Sequence, residues 1–271
     1  MSAKESRLTQ AFREAGHPLV IPYAVGGYPD AASCARILRA YAEAGAGIME
    51  IGVPFSDPLA DGPVIQGASV VALRGGVRPA GVLDLAEGAS VTGVPVVLMG
   101  YLNTILAYGP ERFFTDCSRK GVAGVVVPDV PVEEAGDLQR MAREHGVDVV
   151  LLAAPTSTDA RLARIAAAAS GFIYCVSTTG VTGARVALSA GLPDFVARVR
   201  RHTDLPLAVG FGVSTAEQAG VVARYADGVI IGSSLVDLVR NLVRKSADLD
   251  AALNGVREFV KGAVEAVGAS P

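Results

Sequence analysis

Apolar positions in this chain gather into short unbroken runs, separated by longer stretches with helical periodicity. The runs are Leu19 to Val25, Gly47 to Val53, Val94 to Met99, Ala123 to Pro128, Val147 to Ala154, Phe172 to Ser177, Leu205 to Gly210 and Gly228 to Gly232. A strand with one wet face alternates apolar and polar residues. A run apolar throughout is covered on both faces, which is the habit of parallel sheets. Between the runs the pattern predicts helices over Ser6 to Ala15, Ala31 to Ala44 with Asp30 as cap, Val64 to Leu73 and Pro79 to Ser90. Others follow over Pro110 to Lys120, Val132 to His145, Asp159 to Ala169, Leu192 to Arg201, Ala216 to Arg224, Leu235 to Val243 and Leu249 to Val267. Eight such strands, each followed by helical material, predict an α/β chain forming one (β/α)8 TIM barrel over residues 1–271, with an extra N-terminal helix and a C-terminal helix. The alternative is an open doubly wound sheet. It is disfavoured because Gly26-Gly27-Tyr28-Pro29 after the first run is not a dinucleotide fingerprint.

Composition narrows the partners. At 271 residues and 51% hydrophobic, the chain can bury a large core. A net charge of −3 with scattered basic residues points away from nucleic acid and anionic membranes. The small cluster Arg198-Val-Arg200-Arg201 reads as the solvated end of a helix. No leader pattern opens the chain and no apolar run is long enough to span a bilayer, so a cytoplasmic location is expected. Cys34, Cys117 and Cys175 are odd in number and widely spaced, and fit reduced core thiols better than a disulfide or zinc framework. His17, His145 and His202 lack metal-ligand spacing, so no metal is expected.

The chemistry concentrates in Met49 to Gln66. Glu50 lies mid-run, sharing a strand face with Ile48 and Gly52. A carboxylate there is costly unless paired or used, and Gly52 is expected to leave open space beside it. Pro54, Pro58 and Pro63 stiffen the following loop, which carries Asp57 and Asp61; Pro63 suits the first turn of a helix. The structural alternatives are a buried ion pair for Glu50 and helix capping for Asp61. A second signal is a set of glycine-rich loops after the last three runs: Thr179 to Ala184, Gly210 to Ser214, and Gly232-Ser233-Ser234 ahead of a helix. Such loops bring backbone N–H groups close to an anion, and barrels commonly hold phosphate after strands seven and eight. Loops seven and eight contain no Lys or Arg, so amides and hydroxyls are expected to carry the binding. Ser234 adds a hydroxyl to that group. Tyr23, Tyr101, Tyr174 and Phe211 stand at or near strand ends and could line a flat aromatic slot.

The run Glu50-Ile-Gly-Val-Pro-Phe-Ser-Asp-Pro-Leu-Ala-Asp-Gly-Pro-Val-Ile-Gln66 resembles the signature of the tryptophan synthase alpha subunit family, and the resemblance extends from about Leu19 to Val239. It implies a lyase that cleaves indole-3-glycerol phosphate to indole and glyceraldehyde 3-phosphate. The family's catalytic acids fall on Glu50 and Asp61. Its phosphate contacts fall on Gly183, Gly212, Gly232 and Ser233, and its indole surroundings on Tyr101 and Tyr174. Thr182, in a lid from Thr178 to about Ala190, could contact Asp61 on closure. No cofactor is implied in this chain; pyridoxal phosphate belongs to the beta subunit expected as partner in an alpha2-beta2 complex. Asp57, Asn103 and the segment with Asp129 and Pro131 lie where the family meets that partner. Val25 replaces a frequent Thr, and Leu102 and Thr104 flank Asn103 where Tyr and Pro are frequent. These departures bear on partner choice more than on chemistry. A stand-alone lyase, a non-catalytic activator and another phosphate-binding barrel remain as rival readings.

Overall fold

In the computed structural model, which describes residues 6–177, 190–210, 212–246 and 249–269, the eight apolar runs pair in chain order, all parallel, and close into a barrel. The strands are β1 (Leu19–Val25), β2 (Met49–Gly52), β3 (Val96–Met99), β4 (Val122–Val126), β5 (Asp148–Ala153), β6 (Ile173–Val176), β7 (Leu207–Gly210) and β8 (Gly228–Ile231). The helices are α1 (Arg7–Ala15), α2 (Ala31–Glu43), α3 (Pro63–Arg74), α4 (Pro79–Ser90), α5 (Leu102–Tyr108), α6 (Pro110–Arg119), α7 (Gly136–Glu144), α8 (Asp159–Ala168), α9 (Leu192–Arg200), α10 (Ala216–Ala223), α11 (Ser233–Ser246) and α12 (Leu249–Gly268). Among the described residues no helix is long and apolar enough to cross a membrane.

The continuous runs reflect two cores. On β1, Leu19, Ile21, Tyr23 and Val25 face the barrel interior with Ile48, Val97, Val126 and Ile230. Val20 and Ala24 face outward, into the shell shared by the sheet and its helices, with Ile51, Leu98 and Val209. Successive side chains of a strand go to opposite faces, and here both faces are dry.

Helix α1 closes the base of the barrel. Ser6 caps it, its hydroxyl accepting from the amides of Leu8 and Thr9 at 3.1 and 3.3 Å. Leu8 and Phe12 plug the interior, and glycines make room for them. A Cβ on Gly124 would stand 2.7 Å from Leu8 Cδ1, and one on Gly228 3.0 Å from Phe12 Cε1. Phe12 also meets Phe172 edge-on, with ring centroids 5.7 Å apart. The chain's other end, α12, packs over α2, α10 and α11.

Two elements differ from the sequence expectation. Helix α5 was not expected, because its first residue carries no capping signal. Its cap comes from another loop: the Asp129 carboxylate accepts from the Leu102 amide at 3.0 and 3.2 Å. Helix α7 begins at Gly136 rather than Val132. Pro131 opens a turn instead, closed by the Glu134 amide on the Pro131 carbonyl at 2.9 Å, and Glu133 is drawn to Arg161 and Arg164 at 3.0 and 3.1 Å.

Candidate active site

Strand β2 presents Glu50 to the barrel interior, and the loop into α3 brings Asp61 beside it. Their residual exposures are 2% and 5%. The loop is tied at both ends of Asp61: its amide donates to Pro58 O at 3.0 Å, and Gln66 Nε2 donates to its carbonyl at 2.8 Å. Tyr101 fixes the side chain. Its hydroxyl donates to Asp61 Oδ2 at 3.1 Å and accepts from the Ala60 amide at 3.0 Å. Phe55, which drew no attention in the sequence, stacks on the Tyr101 ring at 5.2 Å.

The structural alternatives for both acids fail on geometry. Pro63 opens α3 as expected, but the cap position is Gly62 and the Asp61 side chain does not cap the helix. Glu50 has no ion-pair partner among the described residues, and its Oε1 is buried with no hydrogen bond there; Asp61 Oδ1 is in the same state. Burial, with a smaller contribution from the Asp61 charge, pushes the Glu50 carboxyl up to about 8. Burial raises Asp61 to about 6, opposed by the Tyr101 hydrogen bond. Near neutral pH the pair therefore holds one proton on Glu50 and one charge on Asp61. Environments that push two carboxyls apart in this way sort them into acid and anion.

The space expected beside Gly52 is filled. A Cβ there would fall 2.0 Å from the Tyr23 hydroxyl. The arrangement recurs across the barrel, where a Cβ on Gly210 would fall 2.4 Å from the Tyr174 hydroxyl. Each phenol thus lies over a glycine of the neighbouring strand, and the two rings roof the apolar interior. Burial raises both phenols well above their ordinary value, with Glu50 and Asp61 contributing, so both stay protonated.

Above this roof lies a cavity of about 460 Å³. Glu50, Asp61, Tyr23, Tyr174 and Met99 line one part of it. Gly212, Gly232, Ser233 and Ser234 line another. Gly212 sits at φ +93°, a backbone conformation that side chains rarely adopt. Ser233 opens α11, so unpaired helix amides and the positive end of the helix dipole face the cavity. The Ser234 hydroxyl is engaged, donating to Val213 O at 3.3 Å. Of the four aromatic candidates, Tyr23 and Tyr174 line the cavity, while Tyr101 stands behind Asp61 and holds it. Phe211, Thr182, Gly183 and the expected lid from residue 178 to 189 lie outside the described residues. Asp57, Asn103, Asp129 and Pro131 are exposed, and Leu59, 84% exposed, stands on the same loop as Asp57.

Sequence reading missed residues that α11 and α12 add to the cavity, among them Asp237, Arg240, Asn241 and Phe259. The signal was present as helical spacing. Positions 237, 240 and 241 follow Ser233 and Ser234 at intervals that keep one helix face. Among the described residues no cluster of His, Cys, Asp or Glu could hold a metal ion.

Residues 9–265 match the family model described as tryptophan synthase alpha chain. The tryptophan synthase alpha chain of Roseiflexus sp. (strain RS-1) is 45% identical over 260 residues, covering 92% of this chain and all of the relative. That of Roseiflexus castenholzii is 48% identical, covering 86% and 92%. A chain of the Mycobacterium tuberculosis tryptophan synthase structure superposes with a TM-score of 0.89 at 39% identity, covering 97% of this chain and 99% of that one. The chain belongs to the tryptophan synthase alpha chain family.

Proposed function

We infer that the chain cleaves indole-3-glycerol phosphate to indole and glyceraldehyde 3-phosphate, as the alpha chain of tryptophan synthase. The observation that carries the residue assignment is the split carboxyl pair in one cavity, with glycines and a helix start lining the same space. In our reading Glu50 gives its proton to indole C3, which leaves positive charge on the ring nitrogen. The Asp61 carboxylate accepts the N–H and offsets that charge. The Glu50 carboxylate then takes the proton of the side-chain hydroxyl. As that carbon becomes the aldehyde, the carbon–carbon bond breaks and its electron pair returns to the ring, restoring neutral indole. The Glu50 proton is regenerated, so the cycle needs no outside acid. Acid–base catalysis of this kind typically contributes about 10²–10⁴-fold.

Tyr174 and Tyr23 would flank the indole. Amides at Gly212, Gly232 and Ser233 would hold the phosphate, with Gly183 completing the cradle and Thr182 meeting Asp61 on lid closure. The alpha chain family carries no cofactor of its own for this step; the pyridoxal phosphate sits in the beta chain. The M. tuberculosis relatives are tryptophan synthase structures, which supports a beta subunit as partner here, in an alpha2-beta2 complex. The rim carrying Asp57, Asn103, Asp129 and Pro131 is our candidate for its seat. The test is indole release by the purified chain across a titration of beta subunit. Cleavage that starts low and rises with beta supports the reading. High turnover that stays flat favours a stand-alone lyase, and no release at any beta concentration overturns the assignment.

A further inference from the structure

The sequence offers no cation in the loops after β7 and β8, yet the fold brings one to the cavity they line. Arg240 lies seven residues into α11 from Ser233, on the same cavity-lining face as Ser233, Ser234 and Asp237. Long side chains on a helix lean back over the preceding turn, toward its N-terminus. Arg240 does so: its Nη2 donates to Asp237 Oδ1, one turn nearer the helix start. Asn241 Nδ2 donates to the other oxygen, Oδ2, at 3.0 Å. Asp237 is thus held from both sides and aims the guanidinium.

That pairing leaves the guanidinium unspent. It has five donors in one plane, and Nε is buried with no acceptor among the described residues. Buried donors in native proteins are normally satisfied, so an orphan at a cavity wall marks a place where an acceptor belongs. A phosphate monoester supplies acceptor oxygens in the geometry the guanidinium fork fits. The charges agree. Asp237 lines the same cavity as the helix start, and without Arg240 its carboxylate would repel a phosphate dianion.

We propose that Arg240 is a phosphate-binding residue of this cavity, held in place by Asp237 and adding charge to the backbone amides at Gly212, Gly232 and Ser233. The inference rests on the functional reading above, in which the cavity takes a phosphorylated substrate.

The experiment measures affinity of the full chain for indole-3-glycerol phosphate, for glycerol 3-phosphate and for indole, in wild type, Arg240→Met and Arg240→Lys. Arg240→Met is expected to weaken both phosphate ligands by about tenfold or more, leave indole binding unchanged and flatten the salt dependence of phosphate binding. Arg240→Lys should fall between, keeping the charge but not the fork. In turnover the loss should sit in KM rather than kcat. Unchanged glycerol 3-phosphate affinity in a folded Arg240→Met variant overturns the proposal. So does an equal loss for indole and phosphate ligands, which would make the Arg240–Asp237 pair structural. The functional reading fails separately. A wild type that does not cleave indole-3-glycerol phosphate, yet binds glycerol 3-phosphate in an Arg240-dependent way, breaks that reading and upholds Arg240 as an anion ligand.

Discussion

Two acids stand on strands of this barrel, Glu50 on β2 and Asp148 on β5, and their surroundings are opposite. Asp148 sits at the base, half-buried under the N-terminal plug. Ser6 donates to its carboxylate, and Ser170 and Arg7 also favour its charged form, opposing the rise that burial brings. Glu50 sits at the mouth, fully buried, with no partner for Oε1 among the described residues. The base uses its acid to fasten α1 to the barrel. The mouth keeps its acid unsatisfied, and the fold bears the cost. Burial raises both carboxyls, fully at the mouth and partly at the base, so burial alone does not mark the functional acid. What separates the two acids is whether the surrounding side chains were built to satisfy them.

The largest test of that contrast is Glu50→Gln. In the proposed role one carboxyl serves as acid and then as base, so kcat should fall by about 10⁴-fold, the top of the range for such groups. Stability should move the other way. The folded state keeps a proton on Glu50 that the unfolded chain releases above pH 4.5, so wild-type stability drops as pH rises from about 4.5 to about 8. The slope is up to about 1.4 kcal/mol per pH unit in that window. Glu50→Gln lacks this loss and should be clearly more stable than wild type at pH 8, with the two converging near pH 4.5. Denaturant melts at several pH values read it. A variant that keeps its activity, or shows the same pH slope as wild type, would break the comparison.

Asp61→Asn comes next. The amide keeps the Tyr101 contact in reach but removes the charge that would face the indole cation, and a loss of about 10²–10³-fold in kcat is expected. Substrate affinity should change much less. If activity survives and only the melting temperature falls, Asp61 is a loop-holding residue and Glu50 acts alone.

How far the sequence reached follows the same division. Glu50 was legible because a charged residue inside an apolar run is anomalous whatever the fold. Gly212 and Gly232 were legible because glycines after strands have few uses. The residues that complete the site were not. Phe55 gains meaning only when its loop is folded against Tyr101; Tyr23 was legible as a candidate for the aromatic slot, but its seat was not, since the space read beside Gly52 proved to hold its phenol. Helix α5 escaped because its cap, Asp129, is 27 residues away. Arg240 escaped because sequence places it in a helix, beyond the loops where anion-binding residues were sought. Local anomalies survive in a sequence; contacts between distant segments do not.

At the base the expected effects are smaller and of the opposite kind. Asp148→Ala strips the Ser6 contact and should cost about 1–3 kcal/mol, within the usual range for losing a hydrogen-bonded charged partner. Thermal unfolding would show it. Indole release per folded molecule should stay at the wild-type rate, since Asp148 lies at the far end of the barrel from the cavity. A tenfold drop in kcat would mean that the base and mouth are coupled and that the two acids cannot be treated separately.

The smallest effect is expected from Tyr101→Phe, and it asks whether Asp61 is tuned or merely placed. The phenyl ring preserves the stack on Phe55, so the change removes little besides the hydroxyl. That hydroxyl donates to Asp61 and holds its carboxyl below where burial alone would leave it. Without it the Asp61 value must rise above about 6. If Asp61 works as an anion and Glu50 as an acid, kcat/KM for wild type should be bell-shaped, with limbs near 6 and near 8. Tyr101→Phe should shift the acidic limb upward while leaving the alkaline limb, which belongs to Glu50, where it was. Activity at the optimum should drop only a few-fold, because charge on Asp61 is displaced along the pH axis rather than removed. A uniform loss at every pH, with both limbs unmoved, would show that Tyr101 positions the loop through the Ala60 amide and does not tune Asp61. A shift of the alkaline limb instead would mean that the two carboxyls titrate as one coupled pair, and that the division into acid and anion belongs to neither residue alone.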